Sequence, residues 1–393
     1  MGVRPSFWED PYPTYQAIAS GSPVVRDEGM GVWIVTGRRE ATAILRSPHV
    51  SSRWDLLHRT EQADVLRRML GGWFMLMDPP DHTRLRRAVQ GWFTRRRIEV
   101  LRADLRRDAD ELLRGTSGDR VDVMGGFAEP LAQRMISRVL GIPLEHGVRA
   151  ARLMPPIAGF LAMPHSRRFE AAAAEAAEEL NRLFRGCADA LTPDGLLAAL
   201  AAERGPDALF ADTAILLVFA GQETTAGLIG AGLLHLLRDR AAWGKLLRHE
   251  VTVEKAVEEI LRFDTSVPQV PRIATADVAA GGELIRAGDR IVVILGAANR
   301  DPRVTADPDL LDLSRAPSHL AFGTGIHHCL GAPIARMTAQ VAISAWLSSL
   351  PRARVVNGSV RWSADRGYRK LARACVLRTP EHDHPPEGPA HEP

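Results

Sequence analysis

From about Asp81 to Leu350 most of this 393-residue chain carries apolar side chains at helical spacing, and proline or glycine turns separate the segments. A sequence with that one dominant period predicts a mainly helical body, with small β-sheets confined to the places where the period changes. FEAAAAEAAEELNRLFRGCADA (170–191) consists of strong helix formers, and further helical patterns run over about 207–237, 251–263 and 329–349. VWIVTG (32–37) reads as a strand before a helix in REATAILRS, while VPRIATADV and DRIVVILGAANRDP read as short strands, with Gly288-Asp289 as the turn before the second. The start of the chain is expected to be extended and proline-rich. No repeat and no linker divides the sequence, so residues 1–380 are expected to form one domain. The tail EHDHPPEGPAHEP (381–393) is polar and proline-rich and is expected to be disordered.

A hydrophobic share of 46% and a charged share of 25% are those of a soluble globular protein. The formal charge of +3 makes no case for nucleic acid as a partner. Lys245, Lys255 and Lys370 are the only lysines among 50 basic residues, which reads as the codon bias of a GC-rich bacterial genome. Cys187, Cys329 and Cys375 are odd in number and widely spaced, which gives neither a disulfide framework nor a CxxC metal site. The first residues, MGVRPSFWEDPYPTYQ, have charges and prolines where a signal peptide needs an apolar run. No stretch looks like the roughly 18 apolar residues of a membrane span, so a cytoplasmic protein without a membrane partner is expected.

The chemistry concentrates at HLAFGTGIHHCLGAPIAR (319–336). Zinc would need four ligands, but His327 and His328 are adjacent and neither a second cysteine nor an HxxxH pair lies nearby. A cysteine nucleophile would use a histidine base and an electropositive helix start, and both are available, yet it leaves the loop AFGTGI unexplained. Alternating glycines let a backbone approach something flat and large. The helix that follows points its positive end at the sulfur and favours the thiolate.

The whole stretch resembles the haem-binding loop of bacterial cytochromes P450, F-G-x-G-x-H-x-C-L-G followed by A-x-x-A-R, matched from Phe322 to Arg336. The resemblance implies a mainly α fold with small sheets, in which haem b lies between a long distal helix and a proximal cysteine loop and helix. It makes Cys329 the axial iron ligand, places Phe322 beside the sulfur, has Gly323, Gly325 and Gly331 permit the tight loop, and puts His327 on a haem propionate. His328 falls at a variable position and reads as a surface histidine, while Cys187 and Cys375 have no motif and read as buried or incidental.

Four further segments occur in the family's order. FAGQETTAG (219–227) can be read as a helix with a small-residue packing face; alternatively, the Thr224 hydroxyl reaches the carbonyl of Ala220, loosens the helical ladder there and opens a groove for dioxygen. It is similar to the family's distal A-G-x-[DE]-T, which implies a proton-supply role for Glu223 and Thr224 beside Ala220. Phe219 stands where a small aliphatic residue is usual, and would narrow the distal pocket if it pointed inward. Glu259 and Arg262, three apart on a helix, match the family's buried structural E-x-x-R pair. In MDPPDHTRLRR (77–87) Asp81 is a possible helix cap, and His82 and Arg86 lie one turn apart. The resemblance assigns both, together with Arg272, to the propionates. ANRDP (298–302) is taken as structural.

The activity implied is insertion of one oxygen atom from O2 into an apolar substrate by hydroxylation or epoxidation, in secondary-metabolite (antibiotic) biosynthesis. Other haem-thiolate oxidations, such as phenol coupling or decarboxylation, and a catalytically silent partner protein are the alternatives. Electrons would come from a ferredoxin and its NAD(P)H-dependent reductase, since the chain has no flavin or iron–sulfur motif. WFTRRRIEVLRADLRR (92–107) either presents guanidinium groups to an acidic ferredoxin or is a solvated helix face. The substrate, free or tethered to a carrier protein, would be lined by residues 54–76 and 154–169, by Phe219 and Ala220, and by VPQV with Val267 and Val270. A monomer is expected.

Overall fold

The computed structural model describes residues 5–53, 64–164, 166–204, 208–364 and 367–378. The tail 381–393 and the part of the expected substrate lining at 54–63 lie outside the described residues. The helix Ala208–Arg238 runs through the largest apolar core, packed against Glu129–Leu140, Arg167–Gly186 and Ala332–Ser349. This central helix is apolar on all sides, and Phe210–Arg238 meets the length and hydropathy of a membrane span, which corrects the expectation that no stretch would. It is a core helix, with 78% of its most apolar window buried inside the protein.

A five-stranded sheet forms a second, smaller core at one side. Its order is Val24–Asp27, Val32–Val35, Arg290–Val293, Val270–Ala274, Val50–Ser51, and the pairs are antiparallel except for Val32–Val35 against Arg290–Val293.

Two local expectations fail. The start of the chain is helical over Pro5–Glu9 and Tyr12–Ala19, because proline is compatible with a first helical turn, and Tyr12 and Tyr15, one turn apart, are buried. Strand structure in DRIVVILGAANRDP stops at Val293, and Leu295–Asn299 is a helical turn. Small residues allow this: a Cβ on Gly296 would stand 3.2 Å from the Tyr15 ring. Tyr12 then donates its hydroxyl to Asp264 Oδ1 at 3.1 Å, which ties the first helices to the core.

Asp81 does not cap its helix either. Pro80 holds the N-cap position of Asp81–Gln90, and Asp81, in the first turn, faces Arg84 at 3.3 Å. The helix Val253–Phe263 is capped by Thr252 and carries Glu259 and Arg262, which are 0% and 1% exposed. Arg262 donates Nε and an Nη to the two carboxylate oxygens at 2.8 and 2.7 Å, and its remaining donors reach Pro308 O at 2.7 Å and Leu310 O at 2.9 Å. Glu259 also accepts from the Asp312 amide at 3.0 Å. Arg315, which the sequence reading did not single out, brings its Nε to 3.6 Å from Glu259 Oε1.

The pair therefore fixes the 308–315 crossing that leads into the cysteine loop. Glu259→Ala would strand a buried guanidinium, and a loss of about 3–5 kcal/mol in denaturant unfolding is expected; a loss under about 1 kcal/mol would mean the pair behaves as a surface bridge.

Candidate active site

Cys329 lies three residues before the helix Ala332–Ser349. Its amide donates to Phe322 O at 2.9 Å, closing the loop on itself. The amides of Gly331 and Ala332 point to the sulfur and, with Arg86 and Arg336, favour the thiolate, while burial pushes the other way and leaves the thiol raised. The side chain is surrounded by protein on nearly every side and yet accessible, so it faces an internal cleft rather than bulk solvent.

Gly323 and Gly325 have φ of 64° and 76°, which L side chains rarely adopt. A Cβ on Gly325 would also collide with Leu45 O at 2.5 Å. Gly331 differs from expectation. Its φ is −78° and a Cβ there would meet only ordinary contacts, so the loop itself does not require glycine at that position. The Phe322 ring lies under the Arg336 guanidinium at 4.5 Å, with His319 at 5.9 Å. His328 is exposed, and its carbonyl accepts from Arg86 at 2.7 Å.

Four basic residues from distant parts of the chain meet beside this loop. The His82 and His327 rings are 4.5 Å apart. His327 Nε2 lies 2.9 Å from Ser52 Oγ, a partner not anticipated from sequence. Burial, then the charges of Arg272, His82 and Arg86, push His327 down to about 3. Burial also lowers Arg272 to about 10, against the pull of Asp78. His82 is lowered by burial and by Arg86, and both its ring nitrogens are buried without a hydrogen-bond partner among the described residues. A buried cluster of donors short of acceptors is stabilised by an anion. This donor set fits the two carboxylates of haem b, and the sulfur-bearing cleft beside it fits the macrocycle.

On the central helix, Thr224 Oγ donates to Ala220 O at 2.7 Å, the contact its spacing predicts, and helical structure continues through both residues. Ala220 is exposed although its neighbours Phe219 and Val218 are buried, the same mark of an internal cleft as at Cys329. Phe219 is 6% exposed and packs against Trp73 at 4.9 Å and Tyr368 at 5.9 Å. Val267 and Val270 are half-buried. Glu223 pairs with Lys370.

In the arginine segment, Arg102, Arg106 and Arg107 are matched by Glu99, Asp110 and Asp104, leaving Arg95, Arg96 and Arg97 as its exposed positive end. That segment borders a groove of about 590 Å³ with Arg134, Ser137 and Thr192.

Glu258 bonds Arg336 at 2.6 Å and His319 at 3.1 Å. Burial pushes its carboxyl up, but the hydrogen bonds from His319 and Arg336, with their charges, more than reverse this and hold it at about 2, below the ordinary 4.5. A lowered carboxyl adds stability above its unfolded value and loses it as pH falls through its folded one. The stability advantage over Glu258→Gln, read from urea midpoints, should be full at neutral pH and shrink below about pH 4.5. A difference constant down to about pH 3 would show that the charge is not what holds this contact.

The cytochrome P450 family model matches residues 118–351. The chain is 35% identical to the 20-oxo-5-O-mycaminosyltylactone 23-monooxygenase of Streptomyces fradiae, over 86% of this chain and 82% of that protein. Among solved structures, it is similar to the P450 monooxygenase TamI bound to tirandamycin C (34% identity, TM-score 0.84, 96% of this chain and 99% of that one). It is also similar to P450BioI in complex with an acyl carrier protein ligated to hexadec-9Z-enoic acid (29% identity, TM-score 0.88, 95% and 99%). The mainly helical fold, the internal cleft at a loop cysteine and these matches agree: the chain belongs to the cytochrome P450 family and is a haem-thiolate monooxygenase that carries haem b.

Proposed function

We propose that Cys329 is the axial ligand of the haem iron, and that His82, Arg86, Arg272 and His327 hold the two propionates. The observation that carries this reading is the buried, partnerless His82 ring among three other basic groups, next to an accessible sulfur inside the protein. When bound, the haem supplies the binding and reductive cleavage of dioxygen, with one oxygen atom going to substrate and the other to water. Glu223 takes up protons from outside, and Thr224 Oγ passes them into the cleft. The apolar walls around Phe219, Val267 and Val270 keep bulk water out and select an apolar substrate.

The substrate proposed is an apolar secondary-metabolite scaffold, hydroxylated at a carbon or epoxidised at a double bond. The Streptomyces fradiae relative and the TamI structure support that class, and the carrier-protein complex of P450BioI supports delivery on a carrier as a second route. Electrons come from a ferredoxin and its NAD(P)H-dependent reductase, with the ferredoxin docking at Arg95, Arg96 and Arg97. A monomer is sufficient for this scheme.

The ferrous carbon monoxide spectrum of the holoenzyme tests the ligand. The far-red Soret band of thiolate ligation is expected, and Cys329→Ala should lose it; a variant that keeps both the band and full turnover would refute the assignment. His82→Ala, read by haem retained after gel filtration, should lose haem several-fold faster, and unchanged retention would remove His82 from the propionate site. Thr224→Ala should divert electrons to hydrogen peroxide, and unchanged coupling of NADPH use to product would sink its proton role.

A further inference from the structure

Glu258 stands next to Glu259 on the helix Val253–Phe263, and the two carboxylates hold the cysteine loop from opposite ends. Glu259, with Arg262, fixes the crossing that enters the loop. Glu258 instead reaches Arg336 on the helix that leaves it, Ala332–Ser349. The grip is bidentate: Arg336 donates Nε to Glu258 Oε1 at 2.6 Å and an Nη to Oε2 at 3.0 Å. The two side chains are 31% and 30% exposed, so solvent screens the pair in part without separating it.

The pair is built against the loop itself. The Arg336 guanidinium lies over the Phe322 ring at 4.5 Å, and Phe322 O accepts from the Cys329 amide at 2.9 Å. His319 completes the arrangement, with its ring 5.9 Å from that of Phe322. Its Nδ1 accepts from the Ala321 amide at 3.2 Å, so it is Nε2 that donates to Glu258 Oε2 at 3.1 Å. A continuous chain of contacts therefore runs from Glu258 through Arg336 and Phe322 to the residue that bears the sulfur. Arg336 is also, with Arg86, one of the two guanidiniums whose charge favours the thiolate at Cys329.

We propose that Glu258 is a positioning residue for the iron ligand: it clamps Arg336 over Phe322 and balances its charge, and so sets how strongly the Cys329 thiolate donates to iron and where the reduction potential of the haem lies. This rests on the reading of Cys329 as the axial ligand. A positive charge near the sulfur draws electron density from it and makes the iron easier to reduce, while a negative charge does the reverse. With the ion pair intact the two effects oppose each other at one place. Only a planar guanidinium can lie face-on over a ring and grip a carboxylate with two donors at once, so the site uses what distinguishes arginine from lysine.

The test is the reduction potential of the substrate-free holoenzyme, read by spectroelectrochemical titration at neutral pH, with the ferrous carbon monoxide spectrum of each sample as a check on ligation. Glu258→Gln keeps the shape and removes the negative charge, and should raise the potential by about tenfold in the reduction equilibrium, or about 59 mV. Arg336→Gln should lower it by a similar factor, and the double variant should return close to the wild type. Glu258→Asp, which keeps the charge, should stay near the wild type. Damage to the loop would move both single variants the same way and the double variant at least as far, and that result would overturn the proposal. Shifts under about twofold in both single variants would overturn it too. If Glu258→Gln does not fold with haem, Arg336→Gln alone decides: a potential that rises or stays in place refutes the proposal. A wild-type band at the imidazole-ligated position would sink the Cys329 reading and this inference with it, whereas a thiolate band with unmoved potentials would sink this inference alone.

Discussion

The buried ion pair between Glu259 and Arg262 is the constraint on which the cysteine side of the molecule depends. Two opposite charges at 0% and 1% exposure are tolerable only when every donor and acceptor is satisfied. Here the partners are carbonyls and an amide of the 308–312 crossing, with Arg315 as an added charge. The pair therefore orders a stretch with no regular secondary structure of its own. A few residues on, Asn299 Oδ1 accepts from the Leu320 amide at 2.6 Å, and the cysteine loop begins from that anchored point.

The haem side follows a different electrostatic logic. At Glu259 and Arg262 the charges are balanced within the protein, whereas beside the cysteine loop Arg86 and Arg272 bring positive charge that Asp78 only partly offsets, next to His82 and His327, whose rings burial holds toward the neutral form. An arrangement of that sort is costly by itself and becomes favourable when a dianion is bound. The cofactor thereby contributes to the stability of the fold as well as to the chemistry. Across the cleft, the central helix stays unbroken through Ala220–Thr224, with the Thr224 hydroxyl returned to its own backbone.

The sequence by itself determined the mainly helical class and marked Cys329, Thr224, Glu259, His82 and His327 as candidates, because these stand in short spacings that helix and loop geometry fix locally. It could not announce partners that meet only after folding. Ser52 against His327, Arg315 against Glu259, the Trp73–Phe219–Tyr368 stack and Lys370 on Glu223 all join segments far apart in the chain. Nor could it foresee the early helices, whose stability comes from burial of Tyr12 and Tyr15 and not from propensity. Tertiary structure alone decided these, since a long-range contact depends on where two surfaces come to rest, and no local period records that.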